Sequence, residues 1–122
     1  MIIRDMKVND VNFRFVCESW SNSRGWGHRV VLFKNGIEIN EAKIKYQNRT
    51  WECYVYQSCM EKAVRQLLEE RKVDVIANYK RVNDLSRLSQ KKKDEIIDND
   101  EIVSTYRMLE KEIDNYNCKW GQ

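Results

Sequence analysis

Apolar and polar residues alternate with a period of two across residues 11–19, where Val11, Phe13, Phe15 and Cys17 are separated by polar positions except at Val16. This alternation predicts a half-buried strand. Residues 2–8 read as a strand before it, and residues 28–34, with Val30, Val31, Leu32 and Phe33, as one after it. Ser21 to Gly27 reads as a loop, marked by serine, asparagine and glycine. Asn35-Gly36 is a strong hairpin signal because both residues tolerate positive φ. Residues 37–46 answer as the return strand, with Ile37, Ile39, Ile44 and Tyr46. Residues 50–56 alternate again, with Trp51, Cys53 and Val55 on one face and Glu52, Tyr54 and Tyr56 on the other. The expectation is an antiparallel sheet of about four or five strands.

The period then changes. Ser58-Cys59-Met60-Glu61 reads as a capping box, followed by Met60, Ala63, Val64, Leu67 and Leu68 on one helical face. Further helices are expected over roughly 74–88, 90–97 and 99–116, with Asp74 and Asp98 as N-caps. Ile102, Tyr106, Leu109 and Ile113 form a stripe on the last of them. The fold class is therefore α+β, a single domain over 1–122 with the sheet in 1–57 and the helices in 58–122.

Charge adds little to this picture. The net charge is +3, too small to point to a nucleic-acid partner, and none is expected. Residues 1–57 carry nine basic against six acidic side chains, whereas residues 58–122 carry thirteen of each, so attraction for an anion leans to the first half. Lys91-Lys92-Lys93 before Asp94-Glu95 reads as a solvated junction. No stretch has the apolar length of a membrane span or of a secretion signal, so a cytoplasmic location and no membrane partner are expected. Cys17, Cys53, Cys59 and Cys118 lack paired short spacing and read as reduced thiols.

Catalytic chemistry is sparse. His28 is the single histidine, no zinc spacing or glycine-rich phosphate loop occurs, and neither enzymatic activity nor a cofactor is expected. Recognition chemistry is denser. Arg49, Trp51, Tyr54 and Tyr56 fall within eight positions, a composition suited to a flat anionic ligand. A salt bridge from Arg49 to Glu52 and a core role for Trp51 are the structural alternatives. Trp20 and Trp26 flank Arg24 in one short segment, with Arg29 just beyond. These tryptophans plug the sheet edge, line a subunit interface or stack on a ligand whose phosphate Arg24 or Arg29 would hold. Arg65 either reaches over the sheet toward Asn48 and Arg49 or pairs with Glu61 or Glu69 on its own helix.

Phe15, Glu18-Ser19, Arg24-Gly25-Trp26-Gly27-His28, then Tyr46-Gln47-Asn48-Arg49-Thr50-Trp51-Glu52, Tyr54 and Tyr56-Gln57-Ser58 resemble a family of small phage and prophage proteins. The resemblance spans roughly residues 12–68. Within that group the chain resembles the anti-Thoeris sponge proteins. The resemblance implies a phage anti-defence role in the host cytoplasm. It implies sequestration of a cyclic nucleotide, a cyclic ADP-ribose isomer, without cleavage, by a homo-oligomer that is a dimer or a hexamer built from dimers. It also implies a pocket with Asn48, Arg65 and a stacking aromatic, for which Phe33 and Tyr46 are the candidates. Arg49, Arg24, Arg29 and Trp26 complete the expected ligand-binding set. Two other functions fit the residues. One is an anti-CRISPR-type inhibitor that binds a nuclease, with Asp94, Glu95, Asp98, Asp100 and Glu101 mimicking DNA phosphates. The other is a nucleic-acid-associated accessory protein.

Overall fold

The computed structural model describes residues 1–45 and 52–115. Four strands, β1 (Ile2–Val8), β2 (Val11–Asn22), β3 (Gly25–Lys34) and β4 (Ile37–Lys45), precede three helices, α1 (Glu52–Val82), α2 (Gln90–Asp98) and α3 (Glu101–Asn115). The strands form an antiparallel meander in the order β1-β2-β3-β4, with the helices packed against it, as the α+β expectation required. Two hairpins turn through residues of positive φ: Asn9 (49°) with Asp10 (63°), and Asn35 (50°) with Gly36 (84°). Two successive left-handed residues match the right-handed twist of the flanking strands. Asn9 also donates to the Thr105 hydroxyl at 3.2 Å, which ties the first turn to α3.

Register decides which side chains enter the core. Cys17 pairs with Val30, Phe15 with Leu32, and Arg4 and Met6 with Phe15 and Phe13. These residues share one face because strand side chains alternate. There Phe13, Phe15, Cys17, Val30 and Leu32 pack with Tyr56, Met60, Val64, Val103, Leu109 and Ile113 from α1 and α3. Phe13 meets Tyr106 edge-on at 6.3 Å, and Gln57 donates to the Ile113 carbonyl at 3.0 Å. Cys17 and Cys59 are free and buried in this core, and burial pushes both thiols up to about 11. Both should resist a thiol reagent at pH 8 in the folded protein and react after unfolding. Peptide mass spectrometry after labelling checks this, and labelling of either residue in the native state would place it outside the core.

Several expectations are corrected. The expected strand over 50–56 is corrected over its described part, which is helix from Glu52 onward. Tyr56 is therefore not on one face of a pleat; it is a buried helical residue against His28 at 5.1 Å. Ser58 caps nothing, being one of the exposed residues inside α1. The same apolar spacing that begins at Tyr56 continues through Cys59, Met60, Ala63, Val64 and Leu67, so the helix starts earlier. Asp74 is likewise internal to α1, which ends at Val82 and not near 88. Its end is set by Asp84 at φ 52°, with the Leu85 amide on the Lys80 carbonyl (2.8 Å) and the Asp84 amide on Arg81 (3.4 Å). That paired pattern is a Schellman cap made without glycine. Ser89 caps α2 by accepting from the Lys92 amide. Asp100, not Asp98, caps α3 by accepting from the Val103 amide at 2.9 Å. The expected loop at 21–27 is mostly strand, since β2 runs to Asn22 and β3 begins at Gly25.

Candidate functional site

The helices cover one face of the sheet; among the described residues, no element covers the other. That open face is ordered in rows by the register. Asp5, Arg14 and Phe33 form one row across β1, β2 and β3. Ile3, Val16 and Val31 form the next, and Glu18 and Arg29 a third. Arg14 grips Asp5 with two hydrogen bonds, 2.7 Å from Nε and 3.0 Å from Nη2. Arg29 holds Glu18 Oε2 at 2.8 and 3.1 Å. The hydrogen bond to Arg14 draws the Asp5 carboxyl below its ordinary range. The exposed Arg14–Asp5 pair adds little to stability, and the half-buried Arg29–Glu18 pair somewhat more, but both fix where the guanidinium planes lie.

A concavity of about 810 Å³ opens on this face, lined by Ile3, Arg14, Val16, Phe33 and the Asn35–Gly36 turn among others. Its size falls within the roughly 300–1,000 Å³ range of small-molecule sites. Arg14 and Phe33 are direct cross-strand neighbours in its lining, which sets a cationic and an aromatic side chain side by side in register. Sequence reasoning singled out Phe33 and missed Arg14. The alternation of residues 11–19 carried the signal, because it turns Arg14 away from Phe13 and Phe15.

The other expected ligand residues are scattered. Asn48, Arg49 and Tyr46 lie outside the described residues. Arg24 is exposed in the β2–β3 turn, its amide bound to Asn22 Oδ1 at 2.8 Å. Trp26 is 47% exposed and, by register, lies on the helix-side face, whereas Trp20 lies on the open face. The two tryptophans therefore do not line one surface. Arg65 is exposed on α1, on the far side of the sheet from Arg29 and Phe33. Within one chain these three cannot meet around one ligand.

The surroundings of Arg65 are acidic. Burial, then a hydrogen bond that protonated Glu61 donates to Asp114, raises the Glu61 carboxyl above its ordinary range; Glu110 adds to the rise and Arg65 opposes it. A phosphate arriving at Arg65 would meet the field of Glu61, itself beside Asp114 and Glu110. A raised folded value means that Glu61 favours the fold when protonated and loses that contribution as pH rises through it. Glu61→Gln should therefore raise the melting temperature slightly at pH 7 and not at pH 4. Scanning calorimetry at both values checks this, and a drop at pH 7 would contradict it.

The acidic stretch is partly neutralised. Arg71 binds Asp100 at 2.9 and 3.0 Å, and Arg107 binds Asp98 at 2.8 Å. Among the described residues, no group of three or more His, Cys, Asp or Glu side chains is placed to hold a metal ion. None of the described helices is long and apolar enough to cross a membrane. No family model, curated protein or solved structure matches the chain.

Proposed function

We propose that this protein acts by binding, not catalysis, and holds a flat anionic ligand of the nucleotide class on the open face of its sheet. The observation that carries this reading is the Arg14–Phe33 cross-strand pair in the lining of the concavity of about 810 Å³. A guanidinium is suited to a phosphate, which would compete with Asp5 for Arg14, and an aromatic face to a base. A cyclic ADP-ribose isomer, held intact as an anti-defence measure, is the ligand that the resemblance implies. The alternative, nuclease inhibition through an acidic DNA-like surface, draws less support, since Arg107 and Arg71 already engage Asp98 and Asp100.

Calorimetry with cyclic ADP-ribose isomers and cyclic dinucleotides tests the proposal. The wild type should bind at least one and release it unchanged on denaturation. Arg14→Ala and Phe33→Ala should each weaken binding by roughly tenfold to a hundredfold, the worth of one charge-assisted or stacking contact. Arg65→Ala should leave affinity within about twofold, a ratio below 1 kcal/mol. If Arg65→Ala abolishes binding and Arg14→Ala does not, the ligand sits beside α1. If the wild type binds none of the panel, the nucleotide reading fails.

A further inference from the structure

No residue between Leu68 and Val103 is buried, although most of that stretch is helix. Past Leu68, α1 runs on for fourteen residues to Val82, about 21 Å at 1.5 Å per residue. α2 returns beside it. Lys92 Nζ stands 5.8 Å from the Tyr79 ring centroid near one end, and Asp100 binds Arg71 at the other. Val75 and Ile97 pack against the edge of the core, but the outer end of this helical hairpin, from Ile76 to Ile96, lies outside it.

That outer end concentrates charge. Residues 80–93 hold six basic side chains, Lys80, Arg81, Arg87, Lys91, Lys92 and Lys93, and one acidic one, Asp84. Their net of +5 exceeds the +3 of the whole chain, so the remainder is net negative and the total conceals the cluster. The Leu85 amide on the Lys80 carbonyl folds the connection back, and the two helix ends lie side by side, so the six cations share one tip. Elsewhere many cations rest on acids: Arg14 on Asp5, Arg29 on Glu18, Arg71 on Asp100 and Arg107 on Asp98. At the tip, among the described residues, Lys92 alone makes an ion pair, a loose one to Glu95 at 3.9 Å. Helix electrostatics account for Lys80 and Arg81, which end α1, but not for Lys91 to Lys93 in the first turn of α2. Cations there oppose the macrodipole, and six like charges on one tip repel one another. A partner carrying several negative charges relieves both.

We propose that this tip binds the phosphate backbone of nucleic acid, without reading bases. Cations on long flexible stems neutralise phosphates and carry no sequence information. An anionic lipid surface fits the tip less well. Binding there adds insertion of a broad apolar face, whereas 80–93 holds no aromatic residue and two exposed aliphatic ones, Val82 (69%) and Leu85 (43%). Asp94, Glu95 and Asp98 follow on α2, so the attractive surface stops soon after the tip and spans few phosphates. The tip belongs to the helical layer, on the other side of the sheet from the concavity, and does not depend on the nucleotide reading.

Fluorescence anisotropy with a labelled DNA duplex and a labelled single strand of the same length tests this. The wild type should bind at least one of them with a dissociation constant on the order of micromolar at about 50 mM salt. It should lose roughly a hundredfold in affinity by about 200 mM, the slope expected for about three or four neutralised phosphates. Binding to either form supports the proposal, and the difference between them names the preferred form. The triple variant Arg87→Gln, Lys91→Gln, Lys93→Gln should weaken binding at least about tenfold and flatten that slope, with its melting temperature and its affinity for cyclic nucleotides unchanged. The triple variant Lys62→Gln, Lys72→Gln, Lys111→Gln removes the same charge away from the tip and should cost less than about threefold. No binding to either form, an equal loss in the two triple variants, or binding to phosphatidylglycerol vesicles in place of nucleic acid overturns the proposal. Cyclic-nucleotide affinity is read separately by calorimetry, so the failure of one reading leaves the other standing.

Discussion

Phe15→Ala is expected to destabilise the fold by about 3–5 kcal/mol, the cost of a large cavity in a packed core. Phe15 has no solvent exposure, and its neighbours come from every layer: Leu32 across the sheet and the apolar faces of α1 and α3 behind it. No short rearrangement can refill that volume, because the surrounding side chains belong to elements already fixed by strand pairing. Small domains hold only about 5–15 kcal/mol in total, so this variant should sit near its unfolding limit. Phe15→Leu, which keeps most of the volume, should lose much less, about 1–2 kcal/mol. Urea unfolding followed by circular dichroism gives both numbers. A loss below about 1 kcal/mol for the alanine variant would mean that the sheet packs on the helices through a different face.

Asp100→Ala should be the next most damaging, at about 2–4 kcal/mol, because one carboxylate serves two purposes. It caps α3 through the Val103 amide and binds the Arg71 guanidinium twice, joining α1 to α3. Asp100 is mostly shielded from solvent, with 16% of its side chain exposed, so water does not replace these bonds cheaply. Its partner lowers the Asp100 carboxyl below the ordinary range, chiefly through the Arg71 hydrogen bonds. A depressed folded value contributes stability above the unfolded value, near 4, and that contribution is lost as pH falls through the folded value. Asp100→Asn keeps a capping oxygen and removes the charge. The stability gap between wild type and Asp100→Asn should therefore be largest near pH 7 and shrink below about pH 4. A gap that stays constant down to pH 2 would show that the Arg71 pairing does not stabilise the fold.

Much of the fold was legible in local pattern. The alternation in 11–19 and the Asn35-Gly36 turn placed two strands and a hairpin, because both depend on neighbours in sequence. The stripe of Tyr106, Leu109 and Ile113 placed the last helix for the same reason. The stretch 50–56 misled because a window of seven residues fits a period of two as well as part of a 3.6 repeat. Only the continuation through Cys59, Ala63 and Leu67 separates them. Ser58 misled because a capping box satisfies amides only where a helix begins, and Glu52 had already begun it.

The candidate site was less legible. Phe33 was visible as an aromatic near the hairpin, but its neighbour Arg14 is nineteen positions away and becomes a partner only through the β2–β3 register. Arg65 looked suited to an anion until α3 brought Glu110 and Asp114 beside Glu61.

The sequence by itself determined the α+β class, the order of sheet then helices, and most strand and helix interiors, since hydrophobic period and turn chemistry are local properties. The tertiary structure alone decided which sheet face the helices cover and which charges share a row. It also decided which acidic residue, Asp98 or Asp100, caps α3. Those outcomes depend on strand register and helix docking. Both are set by the packing of residues far apart in the chain, and no window of the sequence contains them.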